Sequence, residues 1–401
     1  MDTIGIICEY NPFHAGHKKQ IDAIRALRGC GSAIVCLMSG NFVQRGAPAI
    51  LDKTLRTRAA LRCGADLVLE LPTELALSSA EGFASGGVSI LSGLCGELCF
   101  GTENADTDAL MDTAEALLDS RYPSLLKQAL TSGISFPAAR QQALAQMGLD
   151  ATFLTSPNTI LAVEYCKAIL AQGSAMKPLP IRRPGSYHDE NPDLNNPSAT
   201  AVRRLMLTES DWRAYVPPAA HAVFEDAALH TLSAGERAML ARFRAMTDEE
   251  FEALPYGSEG LWRKFMHACR REATLDGIIA ATKSKRYTRT RIDRMAMCAF
   301  LGLTREDLAA PAPYVRILGF NDVGRAVLNQ ARKTGKFRNA GEMDSGSYGT
   351  REQKFGRLYG LFAVEKPEPP DSEEKRRVYF LKEKEISCSP NSNPSTASSP
   401  F

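Results

Sequence analysis

The feature that most constrains this chain is a series of short, almost wholly apolar runs, each stopped by Gly, Pro, Asn or Ser and each leading into an amphipathic segment. Gly5 to Cys8 is too short to cross a membrane and too apolar for a loop, so it reads as a buried strand, and Asn11-Pro12 stops it. From Ala15 onward Ile21, Ile24 and Leu27 recur at helical spacing with Lys18, Lys19, Asp22 and Arg25 between them, the pattern of a half-buried helix. The same logic returns at Ala33 to Met38, which ends in Ser39-Gly40-Asn41 and precedes a helix closed by Gly64. "ADLVLELP" supplies a third strand, cut at Pro72, and "LCFGTEN" a fourth that ends at Gly101. Strands alternating with helices at this pace predict an α/β fold with a parallel sheet covered on both faces, whose ligand sits outside the carboxyl ends of the strands. That edge carries Asn11, His14, Ser39, Gly40, Asn41 and Gly101-Thr102-Glu103.

Residues 105–150 read as helices, "SPNTILAVEYCKAIL" as a helix begun after Pro157-Asn158, and the stretch from Lys177 as a strand, a Pro/Asn-rich loop and a helix capped at Ser198. Beyond about residue 210 helical periodicity takes over. The expected division is therefore 1–210, α/β and nucleotide-binding; 211–385, mainly helical; and 386–401, a tail too poor in apolar residues to fold. At 401 residues and 44% hydrophobic the chain can bury its cores without staples. Lys and Arg (48) nearly balance Asp and Glu (46), so no global field argues for nucleic acid or a membrane. There is no cationic leader and no run long and apolar enough to span a bilayer, so neither secretion nor membrane insertion is expected and the location expected is cytoplasmic. The ten cysteines are scattered, with only Cys95 and Cys99 close together, which suits buried, reduced thiols.

His14-Ala-Gly-His17 falls at the start of the first predicted helix, and three readings are open. The histidines can cap the helix; they can share a zinc ion, although no cluster elsewhere offers the remaining ligands at zinc-like spacing; or they can help the helix N-terminus, with its unpaired N–H groups and a small Gly16, to bind phosphate. The last gains weight only if the rest of the chain supplies a nucleotide site. "MSGNFVQRGAPAILDK" carries Arg45 and Lys53 beside a strand end, where they suit phosphates or merely a solvated loop. "SSAEGFASGG" fits either a loop that lets a ligand approach the backbone or only a Gly-rich turn, and Arg182 and Arg183 at another strand end fit either guanidinium forks for phosphate or a surface pair. Charge is concentrated at 262–294, where ten Lys or Arg face three acids and Trp262, His267 and Tyr287 are interleaved. A solvated face and an RNA-binding surface both fit; the aromatics favour RNA, through stacking on unpaired bases.

These segments together resemble a known family. "HAGH" after a strand is similar to the HxGH signature of nucleotidylyltransferases and class I aminoacyl-tRNA synthetases. The fuller set, "GIICEYNPFHAGH", "MSGNFVQRGAPA", "DLVLELP", "FGTEN", "SPNTILAVEY", "RRPGSYHDE", "SATAVRR", "KRYTRTRIDR" and "PYVRILGFN", resembles the tRNA(Met) cytidine acetate ligases over nearly the whole chain, the last fifteen or so residues excepted. That resemblance implies a Rossmann-like nucleotidylyltransferase domain with a mainly helical tRNA-binding domain. It also implies adenylation of acetate by ATP with Mg²⁺, then acetyl transfer to the N4 amine of the wobble cytidine in the anticodon arm of elongator tRNA(Met). By motif it places ATP on Ile7, Cys8, Glu9, Tyr10, Asn11, Pro12, Phe13, His14, Ala15, Gly16, His17, Lys18, Lys19 and Gln20, with Gly101, Asn158 and Arg182 or Arg183, and makes His14 and His17 catalytic. Thr102 stands where the family more often has Ser, and the arginine before Tyr187-His188 is ambiguous by one residue. The expected tRNA contacts are Lys283, Lys285, Arg286, Arg289, Arg291 and Arg294, no protein-held metal is expected, and a homodimer is an open expectation.

The chemistry agrees. Acetate, with a carboxyl pKa of about 4–5, is ionised at neutral pH and needs no general base, only stabilisation of charge growing on the α-phosphate and the departing pyrophosphate. Two rivals remain: a small-molecule carboxylate adenylyltransferase of the same superfamily, indifferent to RNA, and a non-catalytic RNA-binding regulator with a vestigial nucleotide site. The basic window speaks against the first, the intact histidine pair against the second.

Overall fold

The computed structural model describes residues 1–183, 197–284, 286–332, 337–339 and 347–382. The loop after Arg183, including Tyr187 and His188, Lys285 and the tail from 386 lie outside the described residues. The strand and helix alternation predicted for the first half is realised as β1 (Thr3–Cys8), α1 (Ala15–Arg28), β2 (Ala33–Ser39), a short hairpin of β3 (Phe42–Val43) and β4 (Ala47–Pro48), α2 (Lys53–Arg62), β5 (Leu67–Leu71), α3 (Thr73–Ala76), α4 (Ala80–Leu91) and β6 (Glu97–Thr102). Helices α5 (Thr107–Leu118), α6 (Tyr122–Thr131), α7 (Phe136–Gln146) and α8 (Pro157–Ala171) then lead to β7 (Lys177–Arg182) and α9 (Ala199–Leu207). "SSAEGFASGG" is not a turn: Ser79 caps α4, whose small residues face the sheet.

Helices continue as expected beyond residue 210, through α10 (Pro218–Phe224), α11 (Leu232–Ala245), α12 (Asp248–Glu252), α13 (Leu261–Arg271), α14 (Leu275–Thr282), α15 (Arg289–Leu301) and α16 (Arg305–Ala309). The chain then returns to the sheet with β8 (Val315–Phe320), and α17 (Asp322–Ala331), β9 (Phe337–Asn339), α18 (Ser347–Tyr359) and β10 (Tyr379–Phe380) follow. The region expected to be mainly helical thus also carries strands that join the sheet. "VRILGF" is a six-residue stretch, apolar but for Arg316, that follows Pro313-Tyr314 and ends at Asn321; it is too short for a buried helix, and it pairs antiparallel with β5.

The sheet order is β10-β8-β5-β2-β1-β6-β7, with β9 also on β8, and the strands from β5 to β7 are mutually parallel. Successive strands run outward from β1 through β2 to β5, and β6 then returns to the other side of β1. The order therefore reverses between β1 and β6, opening a crevice at their carboxyl ends. Alternation along β1 sends Ile4 and Ile6 toward one face, with α1 and α2, and Ile7 toward the other, with α4 and α8. A third core in the helical part gathers Phe243, Phe265, Met295 and Phe300, and the hairpin's Phe42 is buried within it.

Where β5, β8 and α2 meet, charges are buried rather than displayed. Lys53 Nζ lies 2.6 Å from Glu70 and 2.7 Å from Glu373, Arg316 lies 2.7 Å from Glu373 and 3.2 Å from Glu70, and Arg376 joins Glu373 at 2.7 Å and also Asp52. Lys53 is thus a structural cation, not a phosphate ligand, because it is 2% exposed and both of its carboxylates are sequestered with it. Beside this network Glu352 accepts from the Thr73 backbone and hydroxyl, and burial together with Glu70 and Glu74 pushes its carboxyl up to about 8.

Candidate active site

The turn between β1 and α1 is held by its own side chains. Tyr10 takes φ of 45°, and the Asn11-Pro12 bond is cis. Asn11 Oδ1 accepts from Ile50 N–H at 2.7 Å, and the Asn11 carbonyl accepts from the Arg203 guanidinium of α9 at 2.7 Å. Beneath β1 and β2 the buried Arg56 donates to the carbonyls of Leu51 (2.8 Å), Glu9 (2.7 Å), Ser39 (3.0 Å) and Gly40, tying both strand ends together. Sequence reasoning missed Arg56, although it sits among Ala59, Ala60 and Thr57 on the inward face of α2.

His14 is the N-cap of α1, so the capping reading holds in detail. Its Nδ1 accepts from Gly16 N–H at 3.1 Å, while His17 Nδ1 accepts from the His14 backbone N–H at 3.2 Å, a reciprocal capping box built from two histidines. The rings stack with centroids 3.7 Å apart. Both Nδ1 atoms act as acceptors, so each neutral ring carries its proton on Nε2 and retains one donor. The rings are neutral. Burial, then the nearby Arg183 and Arg203 guanidinium groups, pull His14 down to about 3, and burial, His14 and Arg183 hold His17 well below its ordinary value. Capping and anion binding are therefore compatible, since they use different ring nitrogens.

β7 runs beside β6 with Thr102 opposite Arg182. Arg182 is exposed, whereas the next residue turns inward: Arg183 N–H donates to the Thr102 carbonyl at 2.9 Å and its side chain lies against Gly101, where a Cβ would meet Arg183 Cδ at 2.7 Å. Arg183 is thus the guanidinium that faces the histidines, and glycine at 101 makes the room.

At the adjoining strand end Glu103 accepts from Asn158 Nδ2 at 2.7 Å, Thr159 Oγ1 at 3.0 Å and the Ser156 hydroxyl. Burial opposes its charge, but these three donors together hold the carboxyl below its usual range. Since Asn158 spends its amide N–H on Glu103, its oxygen is left as the acceptor.

Other expected ATP contacts separate by environment. Ile7 and Phe13 are core residues, Glu9 Oε1 accepts from Gln44 N–H at 2.7 Å, Lys18 pairs with Asp22 one turn along, and Gln20 reaches Cys99 Sγ at 3.5 Å. Arg45 is exposed on the β3–β4 hairpin. Among the described residues no group of three or more His, Cys, Asp or Glu is placed to hold a metal ion, and no helix is long and apolar enough to cross a membrane.

The basic window is more structural than its composition suggests. Tyr287 is buried, donates to the Glu259 carbonyl at 3.3 Å and lies under Arg291, so it offers no open face for a base. Arg291 is used on the Tyr256 carbonyl and Ser258, and Arg294 lies over the Tyr256 ring. Arg286 pairs with Glu259, and Arg289 with Asp276, but both stay exposed, as does Lys283.

A parallel sheet whose switch point is lined by an HxGH helix N-terminus defines a nucleotidyl transferase, and the HIGH Nucleotidyl Transferase family matches residues 1–354. The tRNA(Met) cytidine acetate ligase of Clostridium novyi is 34% identical over 95% of this chain and the whole of the relative, and that of Acetivibrio thermocellus is 36% identical over 83% of this chain and 86% of the relative. Thermotoga maritima TmcAL is similar in structure both without ligand (TM-score 0.86, 30% identical, 95% of this chain and all of that one) and bound with alpha-thio ATP (TM-score 0.83, 29% identical, the same coverage). The chain belongs to the tRNA(Met) cytidine acetate ligase family.

Proposed function

We propose that this protein uses ATP to join acetate to the N4 amine of the wobble cytidine of elongator tRNA(Met). The observation that carries the reading is the pair of neutral histidines, each fixed by its Nδ1 at the head of α1 and each keeping an Nε2–H donor, with Arg183 alongside. Family membership and the nucleotide-bound relative support ATP as the nucleotide.

In this reading an acetate oxygen attacks the α-phosphorus, the bond to pyrophosphate breaks, and acetyladenylate remains. His14, His17, the helix N-terminus and Arg183 stabilise the charge that grows on the phosphate oxygens. Arg182, which faces solvent, takes no part. Asn158, oriented by Glu103, offers its oxygen to an N–H or O–H donor of the nucleotide. The cytidine amine then attacks the acetyl carbonyl carbon, the bond to AMP breaks, and the nitrogen loses one proton. Mg²⁺ accompanies ATP in this scheme; the described residues do not form a site for it, so the ion is assigned to the triphosphate and no step is routed through it. Lys283, Lys285, Arg286 and Arg289 are the proposed phosphate contacts of the anticodon arm, while Arg291 and Arg294 shape the surface beneath them.

The test is pyrophosphate release from ATP and acetate, with radiolabelled acetate counted in RNA, using no RNA, mixed tRNA and elongator tRNA(Met). Label confined to tRNA(Met), and lowered on the order of 10²–10³ by His17→Ala, is the expected result. Pyrophosphate release with no label in any RNA would replace the reading by a small-molecule carboxylate adenylyltransferase.

A further inference from the structure

Acetyl transfer releases a proton from the cytidine amine, and the groups that face the phosphates are poor acceptors for it. His14 and His17 keep only Nε2–H donors, and Arg183 donates throughout. The lone pair of an exocyclic amine is delocalised into the base ring, so the nitrogen attacks effectively only as a nearby base withdraws its proton.

The groups assigned to the nucleotide lie on one side of β1. Gly101 is on β6, Arg183 directly follows β7, and Asn158 begins α8, which packs on both strands. On the other side stands β2. The register that sets Cys8 opposite Met38 brings Glu9 and Ser39 to neighbouring strand ends, and alternation turns both toward the face that holds Ile7 and Leu37. Tyr165 of α8, on that face, lies close enough to feel the Glu9 charge.

Glu9 is held in place without being neutralised. Its Oε1 accepts from Gln44 N–H at 2.7 Å, while Oε2 has no hydrogen-bond partner, and the carboxylate no ion pair, among the described residues. Glu70, Glu373 and Asp66, by contrast, are locked in ion pairs. Burial raises the Glu9 carboxyl above its ordinary value, against the opposing pull of Gln44 N–H, Arg203, Arg45 and Arg56. The Ser39 hydroxyl beside it is buried and also has no partner among the described residues. Gln44 belongs to the β3–β4 hairpin, whose Phe42 is buried in the helical core and whose Gly46 lies against α15. This hairpin joins the helical part, with its proposed tRNA contacts, to the end of β1, so a base presented from that part arrives on the β2 side.

We propose that Glu9 is the catalytic proton acceptor of the acetyl-transfer step. Its free oxygen receives one N–H of the cytidine N4 amine and takes that proton as the C–N bond forms; the C–O bond to AMP breaks, and AMP leaves with the electron pair. Solvent removes the proton from Glu9 after the product departs. The carboxylate also favours cytidine over uridine, whose O4 is an acceptor and is repelled by it. The proposal rests on the tRNA reading above.

Glu9→Gln is the test, because glutamine keeps the side-chain length and the acceptor for Gln44 N–H but does not take a proton. Each half-reaction is measured with the full-length protein: acetate-dependent exchange of pyrophosphate into ATP, and single-turnover transfer of labelled acetyl to elongator tRNA(Met). Transfer is expected to fall about 10²–10³-fold and acetyladenylate to accumulate, while exchange falls less than tenfold. In the parent, transfer drops below half its plateau at about pH 4.5, where a carboxyl raised above that value is more than half protonated. That acid limb is absent in Glu9→Gln.

A loss of exchange as large as the loss of transfer, transfer within threefold of the parent, or an acid limb that persists in the variant overturns the assignment. So does a parent whose transfer does not fall at acid pH, a result that stands whether or not the variant folds. Failure of the parent to label any RNA removes the tRNA reading itself and is recognised before any variant is made.

Discussion

The neutral His14 makes a quantitative demand on stability. A histidine that stays unprotonated in the folded chain but titrates near 6.5 when unfolded binds fewer protons folded, so acid favours unfolding. With a folded value of about 3, the stability His14 contributes is full above pH 6.5 and is lost progressively as pH falls toward 3; the loss reaches about 2 kcal/mol at pH 5. His14→Asn isolates this term. Asparagine is as good an N-cap and can still accept from Gly16 N–H, but it does not titrate, so any fixed cost of losing the ring stack cancels when two pH values are compared. Urea unfolding of both proteins at about pH 7.5 and about pH 5 is therefore expected to show the variant gaining about 2 kcal/mol on the parent as pH falls. ATP, by placing negative charge beside the ring, is expected to reduce that gain. Parallel stability curves for the two proteins over this range would show that His14 is not held neutral, and the division of labour between Nδ1 and Nε2 would lose its basis.

Three further outcomes follow from the packing. Glu373→Gln removes one of the two carboxylates that meet each of Lys53, Arg316 and Arg376 while leaving all three cations buried, and is expected to lose about 3–5 kcal/mol in chemical denaturation; a loss under about 1 kcal/mol would mean that the cluster is hydrated. Arg56→Lys keeps the charge but loses the fork that reaches the Leu51, Glu9, Ser39 and Gly40 carbonyls; it is expected to lose about 1–3 kcal/mol and to raise KM for ATP, whereas unchanged denaturation and kinetics would refute the clamp. Gly46→Ala is expected to destabilise by about 1–3 kcal/mol, because its φ of 77° and the approach of an added Cβ to the α15 backbone both oppose a side chain; a loss under about 0.5 kcal/mol in chemical denaturation would refute that contact.

How legible these features were depended on how local their causes are. β1, β2, β5 and β6 announced themselves, since each is a mostly apolar run with its stop residue in the same stretch of chain, and α1 began at Ala15 where its spacing predicted. β8 was harder: "VRILGF" carries a strand pattern, but nothing near it says that its partner is β5, some 250 residues earlier. Lys53 looked like a loop cation because its two carboxylates, Glu70 and Glu373, come from distant segments that only the folded sheet brings together. Arg182 and Arg183 could not be told apart by motif, because the distinction is one of strand alternation at an edge, decided by which residue meets Gly101.

The histidine pair shows why a structural and a functional explanation of one motif need not compete. Each imidazole has two nitrogens, and a cap needs only one of them. Using Nδ1 on the backbone fixes ring position and tautomer together, so the Nε2–H donors are set before the substrate arrives and need no reorganisation as charge develops. Burial that keeps both rings neutral also removes the repulsion that two imidazolium groups 3.7 Å apart would suffer. The capping box, with its buried rings, is the preorganisation on which the proposed adenylation depends.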